Sequence, residues 1–351
     1  VTIFNLDDIL GESGASSLQA LPVLPQAPPW LTHVGQAYRF KVVESADITR
    51  TIAFHYLERE APKGYEQTLV IYYLAQDGLS GGLNDATEWQ RLPTYLDTDE
   101  NLAAAHMPRN QAHGQGIYAL MATLEMPAVQ PGWNLLGYPI PQARPVSNAL
   151  ASLAGAYTAV YQHDATVAPE WRLYDPAIIS EHPLYAHVIN DLETLAPNQV
   201  YWLHATATIT PYLSVDVGNV MAGSLAAEAD ALPPATLFGP FDSANVITPT
   251  VGMTLTAYVQ DVACGQGELY LLENQWVYKI QVTAAVQKNG CGVLGDTVQL
   301  VADGFNMAES IMWDNRRAQF QPITLTNTPA TSHTDQAPTG PNADNSDNPP
   351  P

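Results

Sequence analysis

The sequence is short of basic residues. Lys and Arg number 13 against 35 Asp and Glu, which gives a formal net charge of −22, and no basic residue lies between Arg172 and Lys279. A surface of this charge repels the phosphate backbone of nucleic acids and anionic lipid headgroups. We therefore expect no nucleic acid as a partner. The acidity is compatible with divalent cations, with a saline exterior, or with a charge that only keeps the chain soluble.

Cysteines and long apolar runs are scarce too. The chain has two cysteines, Cys264 and Cys291, and no histidine stands near them at the spacing of a zinc site. An even count favours one disulfide and an oxidising compartment, with a free buried pair as the alternative. No run of eighteen apolar residues occurs, so we expect no membrane insertion. Because the first residues lack the basic start and apolar centre of a signal peptide, we expect a processed product or a fragment.

What the sequence does contain is a long series of β-strand patterns. Residues 30–127 hold six of them, separated by turn signals at the spacing of a β-sandwich. They are residues 36–43, 51–57, 68–74, 88–92, 102–107 and 116–123. The third is apolar and aromatic almost throughout, which predicts a buried strand. Residues 65–123 resemble the β-sandwich modules found near the ends of bacterial cell-surface proteins.

One motif in this region points to an enzyme. Gly78-Leu-Ser-Gly-Gly82 satisfies G-x-S-x-G, the nucleophile elbow of α/β-hydrolases, in which Ser80 would be the nucleophile. The elbow needs a strand before it and a helix directly after it. Here residues 83–89 lead into another strand, and no βαβ alternation surrounds the motif. We therefore interpret Ser80 as part of a hairpin loop and predict that the chain is not an enzyme.

Residues 128–215 have a different pattern. Its landmarks are a Gly-Trp-Asn-Leu strand, an amphipathic helix that begins near Pro145 and ends at Gly155, two aromatic strands, and a closing Tyr-Trp-Leu-His strand at 200–206. This order predicts a small α+β module. It resembles a module of secreted and surface-layer-associated proteins of bacteria and archaea, written GWNL-x-G-x-P followed by L-x-P-G-x-G-Y-W. The chain departs from that pattern at 198–200, where glycines are usual. The resemblance implies extracellular display.

Two groups of residues in this module are candidate binding sites. Four histidines with nearby carboxylates could hold a metal, but no pair has the i, i+4 spacing of a helical site. Seven aromatic residues either stack on sugars or pack in the core. The histidines are His163, His182, His187 and His204, and the aromatic residues are Tyr157, Tyr161, Trp171, Tyr174, Tyr185, Tyr201 and Trp202. We predict no metal, no other cofactor and aromatic packing in the core, with surface glycans as an alternative partner.

The remaining part of the chain is again all-β. Residues 216–234 are an Ala/Gly-rich linker, and residues 235–326 contain strands with clean alternation, such as 253–259. The order of features resembles transthyretin-like and carboxypeptidase-regulatory-like β-sandwiches of extracellular proteins, which place one cysteine after the second strand and another before Gly-Asp-Thr-Val. That resemblance implies a disulfide between Cys264 and Cys291. Such a bond would add roughly 3 kcal/mol by restricting the unfolded chain.

The two ends of the chain are unlike the rest. Residues 1–29 begin with an apolar segment and continue with four prolines between 22 and 29, which predict an extended spacer that holds this segment away from the first domain. The segment is either an edge strand folded back on its own domain or a strand donated to a neighbouring subunit. Its apolar positions are Val1, Ile3, Phe4, Leu6, Ile9 and Leu10. Residues 327–351 are polar and rich in Pro, Asn and Asp, which predicts disorder for this tail alone.

Together these patterns predict a mainly β chain in which two immunoglobulin-like β-sandwich domains flank a small α+β module. The resemblances point to multi-domain cell-surface proteins of bacteria and archaea. We expect a non-enzymatic, extracellular structural protein, a subunit of a filament, sheath or layer whose partners are copies of itself. The alternative is a cell-surface adhesin or a carbohydrate-binding protein.

Overall fold

A computed structural model describes residues 1–5, 16–42, 50–75, 89–109, 114–167, 169–215 and 232–330. The chain is mainly β in these ranges, which confirms the predicted fold class. It divides into two compact units, Val1–Ala229 and Asp230–Pro351. None of the helices in the described ranges has the length and apolar character needed to cross a lipid bilayer.

The first unit begins with two sheets that pack face to face. Their strands are β1 (Thr2–Asn5), β2 (Ser16–Ala20), β3 (Thr32–His33), β4 (Tyr38–Val42), β5 (Arg50–His55), β6 (Leu69–Ala75), β7 (Trp89–Arg91), β8 (Thr94–Asp97), β9 (Leu102–His106) and β10 (Gly116–Ala122). One sheet has the order β1-β5-β9-β8, and the other has the order β2-β4-β10-β6-β7, with β3 also on β10. Inward residues of both sheets, such as Phe54 and Tyr73, belong to one buried cluster.

The face of β6 and β10 that is turned away from the other sheet is also covered by apolar residues. Nearly every residue of these two strands is buried, because both strands are apolar on both faces. The cover consists of Trp89 and apolar residues between 21 and 37. The Trp89 indole N–H donates to the carbonyl of Gln26 at 2.9 Å. The prediction of a detached Pro-rich spacer is therefore wrong, since this stretch packs on the sheet and shields apolar side chains that water would otherwise contact.

The rest of the first unit is a small α+β module. Its elements are β11 (Leu124–Glu125), β12 (Gly132–Tyr138), β13 (Arg144–Pro145), α1 (Val146–Ala149), β14 (Tyr157–His163), β15 (Trp171–Tyr174), α2 (Pro176–Glu181), α3 (Ala186–Ile189), β16 (Thr194–Leu195), β17 (Gln199–Ala205) and β18 (Tyr212–Leu213). Its 3₁₀ turns lie at Ala151–Leu153 and Pro183–Tyr185, and those of the sandwich lie at Glu58–Glu60 and Glu66–Thr68. The central sheet has the order β12-β17-β14-β15.

The two sequence landmarks of this module, the Gly-Trp-Asn-Leu strand and the Tyr-Trp-Leu-His strand, are direct neighbours. They form β12 and β17, which pair antiparallel from Gly132 opposite Ala205 to Tyr138 opposite Gln199. Asn198, where the resembled module has glycine, has a φ of 58°. Asn tolerates this left-handed conformation better than other non-glycine residues, so it can occupy the turn.

The α+β module and the sandwich share a core. One buried cluster contains residues of both, including Tyr65 and Tyr138, and the Tyr65 hydroxyl donates to the carbonyl of Pro139 at 3.0 Å. The sequence separates 30–127 from 128–215, whereas the structure packs them together in one unit. The physical reason is that the module's central sheet buries one of its faces in the same cluster as the sandwich.

The second unit is a single nine-stranded sheet. Its strands are β19 (Ala235–Asp242), β20 (Thr254–Val259), β21 (Val262–Leu272), β22 (Gln275–Val282), β23 (Thr297–Ala302), β24 (Phe305–Met307), β25 (Ile311–Met312), β26 (Gln319–Phe320) and β27 (Ile323–Pro329). The order β20-β21-β22-β19-β27-β24-β23 returns to β20 through a β20–β23 pairing. The sequence predicts two separate sheets here, and the structure joins these strands into one closed sheet.

Tight turns join neighbouring strands of this closed sheet, and apolar residues at alternate positions face its core. The β20–β21 and β21–β22 hairpins turn through Gln260-Asp261 and Glu273-Asn274, each with two positive φ values. Two-residue loops of this type match the right-handed twist of paired strands. The alternation predicted for 253–259 is confirmed, because Leu255, Ala257 and Val259 are fully buried in the core of the unit.

We predict that Trp89 fastens the Pro-rich stretch to the sheet. Trp89→Ala should lower the free energy of unfolding by about 3–5 kcal/mol, because it opens a cavity. Trp89→Phe should cost about 1 kcal/mol, because it keeps a ring but removes the bond to Gln26. Urea unfolding measures both changes, and limited proteolysis should show faster cleavage within 21–29 in the Ala variant.

Tyr95→Ala is the matched control for this prediction. Tyr95 is an aromatic residue of β8 that is 65% exposed, so its loss should change stability by less than about 0.5 kcal/mol. A Trp89→Ala variant with unchanged stability and an equally protected Pro-rich stretch would contradict the covering role.

Candidate subunit-contact site

The apolar segment at the start of the chain forms a strand at the edge of its own sheet. β1 pairs antiparallel with β5, and Thr2, Ile3, Phe4 and Asn5 lie opposite Ala53, Ile52, Thr51 and Arg50. Of the predicted contact residues, Ile3 and Phe4 are in this strand, and Val1 precedes it; Leu6, Ile9 and Leu10 lie outside the described residues. Of the two alternatives, the structure therefore has the one in which the segment folds back as an edge strand on its own domain. Pairing with a second copy stays a prediction.

A second strand, which the sequence patterns did not predict, lies in the same segment. Residues 16–20, Ser-Ser-Leu-Gln-Ala, form β2 and pair with β4 in the opposite sheet, from Ser16 opposite Val42 to Ala20 opposite Tyr38. They have a single large apolar residue, Leu18, so neither alternation nor an apolar run marks them. We call residues 1–20 the N-terminal arm. Its described parts, 1–5 and 16–20, supply one edge strand to each sheet.

Both arm strands lie on the same side of the sandwich. Their partners β4 and β5 face each other across the core, where the rings of Tyr38 and Phe54 are 5.8 Å apart. The Arg50 guanidinium, on β5, lies 5.7 Å from the centre of the Phe40 ring on β4. The arm therefore covers the backbone edges of two strands that sit one above the other.

The arm and the two strands that receive it have opposite charge. The arm contains Asp7, Asp8 and Glu12 and no Lys or Arg. β4 and β5 contain Arg39, Lys41 and Arg50 and no Asp or Glu. The chain has only 13 basic residues against 35 acidic ones, so a group of three basic residues with no acidic residue on these two strands is unusual. Complementary charge guides partners to a surface and suppresses pairing elsewhere.

Arg50 is the most unusual of these basic residues. It is 2% exposed, and its Nε and Nη2 atoms are buried with no hydrogen-bond partner. A buried guanidinium with unpaired donors is unfavourable, because it has lost its water and has not regained all of its hydrogen bonds. The ring of Phe40 provides a cation–π contact, which offsets only part of that loss.

A cavity of about 240 Å³ lies between the two sheets beside the first residue of the arm. Val1, Val34, Phe54, Leu57 and Leu120 contribute apolar walls, and Gln36, His55 and Glu60 contribute polar ones. Tyr56 also lines it and is 6% exposed. Burial raises the pKa of the Tyr56 phenol, and the Glu66 and Asp97 carboxylates raise this pKa further. A phenol is neutral at physiological pH even without these effects, so Tyr56 contributes no anion to the cavity.

The two cysteines are joined in the second unit. Cys264 on β21 and Cys291 in the loop after β22 form a disulfide with their Cα atoms 5.4 Å apart, and both are buried. Hydrogen bonds from Thr283 N–H to the Cys264 carbonyl and from Gly292 N–H to the Thr283 carbonyl hold the same loop against β21. The Trp313 indole packs directly on Gly292, where a side chain would clash with the ring.

The histidines and carboxylates of the α+β module were the candidate metal ligands. In the described ranges, no group of three or more His, Cys, Asp and Glu residues is placed to hold a metal ion. His163 faces Glu170 at 3.6 Å, and His204 contacts the Thr158 hydroxyl at 2.9 Å, as separate pairs. The Ser80 motif lies outside the described residues.

The aromatic residues of the α+β module mostly pack inside it. Six of the seven are buried, and Trp202 alone is partly exposed. The six buried residues are Tyr157, Tyr161, Trp171, Tyr174, Tyr185 and Tyr201. Sugars need an open ring face on which to stack, so these six residues supply no stacking platform.

We predict that the disulfide stabilises the second unit. Replacing both Cys264 and Cys291 by Ala should lower its free energy of unfolding by about 3 kcal/mol, because the unfolded chain regains conformational freedom. Urea unfolding with and without a reducing agent provides the measurement. Reductant should destabilise the natural chain and leave the double variant, the matched control, unchanged. An identical unfolding midpoint for the two proteins would contradict the prediction.

Comparisons with known proteins find little. No protein-family model matches the chain, and no curated protein matches it. Solved structures that match include BcpA, the major pilin subunit of Bacillus cereus, with 9% identity over 90% of this chain and 71% of that chain, at a TM-score of 0.15. Two structures of the shaft pilin SpaA from Lactobacillus rhamnosus GG match with 10% and 8% identity, cover 75% and 91% of this chain and 86% and 99% of the pilin, and have TM-scores of 0.15 and 0.16. TM-scores this low do not establish a shared fold.

Proposed function

We propose that the chain is a non-enzymatic structural subunit of an extracellular filament, sheath or layer, and that copies join by exchanging the N-terminal arm. The observation that carries this proposal is the position of the arm. It supplies an edge strand to each sheet, through main-chain pairing with β5 and β4. Main-chain hydrogen bonds are the same whether the added strand belongs to the same chain or to another.

Exchange of one arm leads directly to a polymer. A subunit that gives its arm to a neighbour leaves its own β4 and β5 edges unpaired, and it must receive an arm from a third copy. Such a head-to-tail contact is heterologous and propagates into a filament unless the rotation closes a ring. The opposite charges of the arm and of β4 and β5 favour this contact over pairing at other strand edges.

The location outside the cell is supported by the disulfide between Cys264 and Cys291. Disulfides form and persist in oxidising compartments and are rare in the cytosol. A buried disulfide in a closed sheet also stabilises a protein against unfolding outside the cell.

We predict that removal of residues 1–20 abolishes assembly. Full-length chain should form polymers visible by negative-stain electron microscopy at concentrations where the deleted chain remains dispersed. Because the deletion exposes two strand edges, a synthetic peptide of residues 1–20 should be added to the deleted chain. It should bind one to one and give a folded monomer that does not polymerise, since the peptide carries no further subunit.

Deletion of residues 331–351 is the matched control, because it removes a segment of similar length from the other end. This variant should assemble like the full-length chain. Assembly of the arm-deleted chain at the full-length rate, or a full-length chain that remains monomeric at high concentration, would refute the proposal.

A further inference from the structure

We propose that β12 is a contact between two copies of the chain, whose β12 strands pair antiparallel, edge to edge, about a two-fold axis. Leu135 of one copy lies opposite Leu135 of the other, and Trp133 of each copy lies opposite Gly137 of the other. This contact goes beyond the proposed function, because it is separate from the N-terminal arm and does not require arm exchange.

The position of β12 at the end of its sheet is the first observation. β12 has seven residues, whereas β1, β2, β7, β8 and β15, the other end strands of the larger sheets described in the first unit, have three to five. Natural end strands are protected from pairing by short length, by charged residues or by proline within the strand. Residues 132–138 contain no charged residue and no proline. β7, β8 and β15 each contain a charged residue, namely Arg91, Asp97 and Arg172.

The hydrogen bonds of β17 show which main-chain groups of β12 face this edge. Thr206 N–H, directly after β17, donates to the Ala156 carbonyl on the side of β14. Main-chain groups alternate sides along a strand, so residues 201, 203 and 205 turn theirs toward β12, where they lie opposite residues 136, 134 and 132. The main-chain groups of Leu135 and Gly137 therefore point away from β17, toward the edge where the described residues place no further strand.

The side chains beside this edge are the second observation. Trp133, Leu135 and Gly137 share the face of the sheet that is turned away from the core of the first unit. Leu135 is 39% exposed. The ring of Trp133 is half-buried, and its centre lies 5.9 Å from that of the Tyr161 ring and 5.0 Å from that of the His204 ring. These neighbours hold the indole in one orientation next to the edge.

The order of these three residues is complementary to its own reverse. When two β12 strands run antiparallel about Leu135, the large indole of Trp133 meets Gly137, which has no side chain, at both ends of the pair. An aromatic ring that covers a glycine on a neighbouring strand shields the main chain there. The two Leu135 side chains meet at the axis, and their contact removes apolar surface from water.

Two prolines select this register. Pro131 and Pro139 flank β12 and have no N–H to donate. Pairing about Leu135 places them opposite each other, at the two ends of the paired segment. Because the bonding groups of both strands must meet, the register can shift only in steps that keep odd residues opposite odd residues. The nearest shifts would place Pro131 opposite Gly137 or Pro139 opposite Trp133, and each would lose hydrogen bonds.

The charge of the chain favours the same place. Copies with a formal net charge of −22 repel one another, and the repulsion is weakest where a contact adds no acidic residue. β12 is such a place. A two-fold contact uses the same surface on both copies and closes after two of them. It would therefore join two subunits of neighbouring polymers side by side, whereas arm exchange extends each polymer.

A single cysteine tests the two-fold register, because only in that register does residue 135 lie opposite itself. Cys264 and Cys291 are bonded to each other, so the introduced thiol is the reactive one. Under mild oxidation, the full-length Leu135→Cys chain should form disulfide-linked dimers on non-reducing gels about tenfold faster than Ile179→Cys, since opposed residues lie within reach of a disulfide. Ile179 is the matched control, because it is an apolar residue of α2 that is 52% exposed.

A second comparison tests the cover over Gly137. Trp133→Ala, made in the Leu135→Cys chain, should slow cross-linking about tenfold, because both copies of this contact are lost from the pair. Trp202→Ala is the matched control, since Trp202 is a half-buried indole on the same face of β17, one strand away from the edge. It should leave the rate within about twofold. Urea unfolding verifies that both variants are folded, and the comparison with Ile179→Cys stands without them.

The outcomes separate this contact from arm exchange. Equal cross-linking rates for Leu135→Cys and Ile179→Cys, or equal effects of the two Ala variants, would overturn the β12 contact and leave arm exchange intact. Fast cross-linking of Leu135→Cys, in a chain that forms no polymer visible by electron microscopy, would support the β12 contact and refute arm exchange alone.

Discussion

The main-chain groups along the outer edges of β4 and β5, which need a strand partner, are the constraint on which the first unit depends. Each strand has apolar residues that face the core, such as Phe40 and Phe54, and each lies next to the end of its sheet. Without the arm, their N–H and C=O groups would face water and would be open to any extended chain. The arm pairs with both edges through main-chain hydrogen bonds.

Main-chain pairing is the contact that the proposed exchange would transfer from one copy to another. β1 is four residues long and β2 is five, and the described residues give each of them one strand neighbour. The second unit differs, because its main sheet is closed. The β20–β23 pairing closes its sheet, and the disulfide holds a loop against β21. The proposed exchange therefore concerns the first unit, whereas the second unit has a closed sheet and a loop held by a disulfide.

Local patterns made much of the fold predictable from the sequence. The apolar run of β6, the alternation in β20, and the landmarks that became β12 and β17 are local signals, and each of them formed a strand. Long-range pairing was not predictable in the same way. Closure of the second sheet depends on Leu255 meeting Ala302, residues far apart in sequence whose own strands look the same in an open or closed sheet. The Pro-rich stretch was misread because the need to cover the outer face of β6 becomes visible only once the sheets are assembled.

The candidate site was predictable in part for the same reason. The apolar character of residues 1–10 marked a strand, but β2 has too few apolar residues to be recognised, and the unpaired donors of Arg50 depend on what surrounds the side chain. The opposite charges of the arm and of β4 and β5 can be counted in the sequence. Their complementarity could be recognised only once the pairing of these segments was known.

An electron cryo-microscopy map of the assembled material, at a resolution that traces the backbone, tests arm exchange most directly. The account predicts continuous density from residues 16–20 of one subunit into the β4 edge of its neighbour, and from residues 1–5 into the neighbour's β5 edge. A map in which every arm returns to β4 and β5 of its own subunit, with subunits joined through other surfaces, would contradict it.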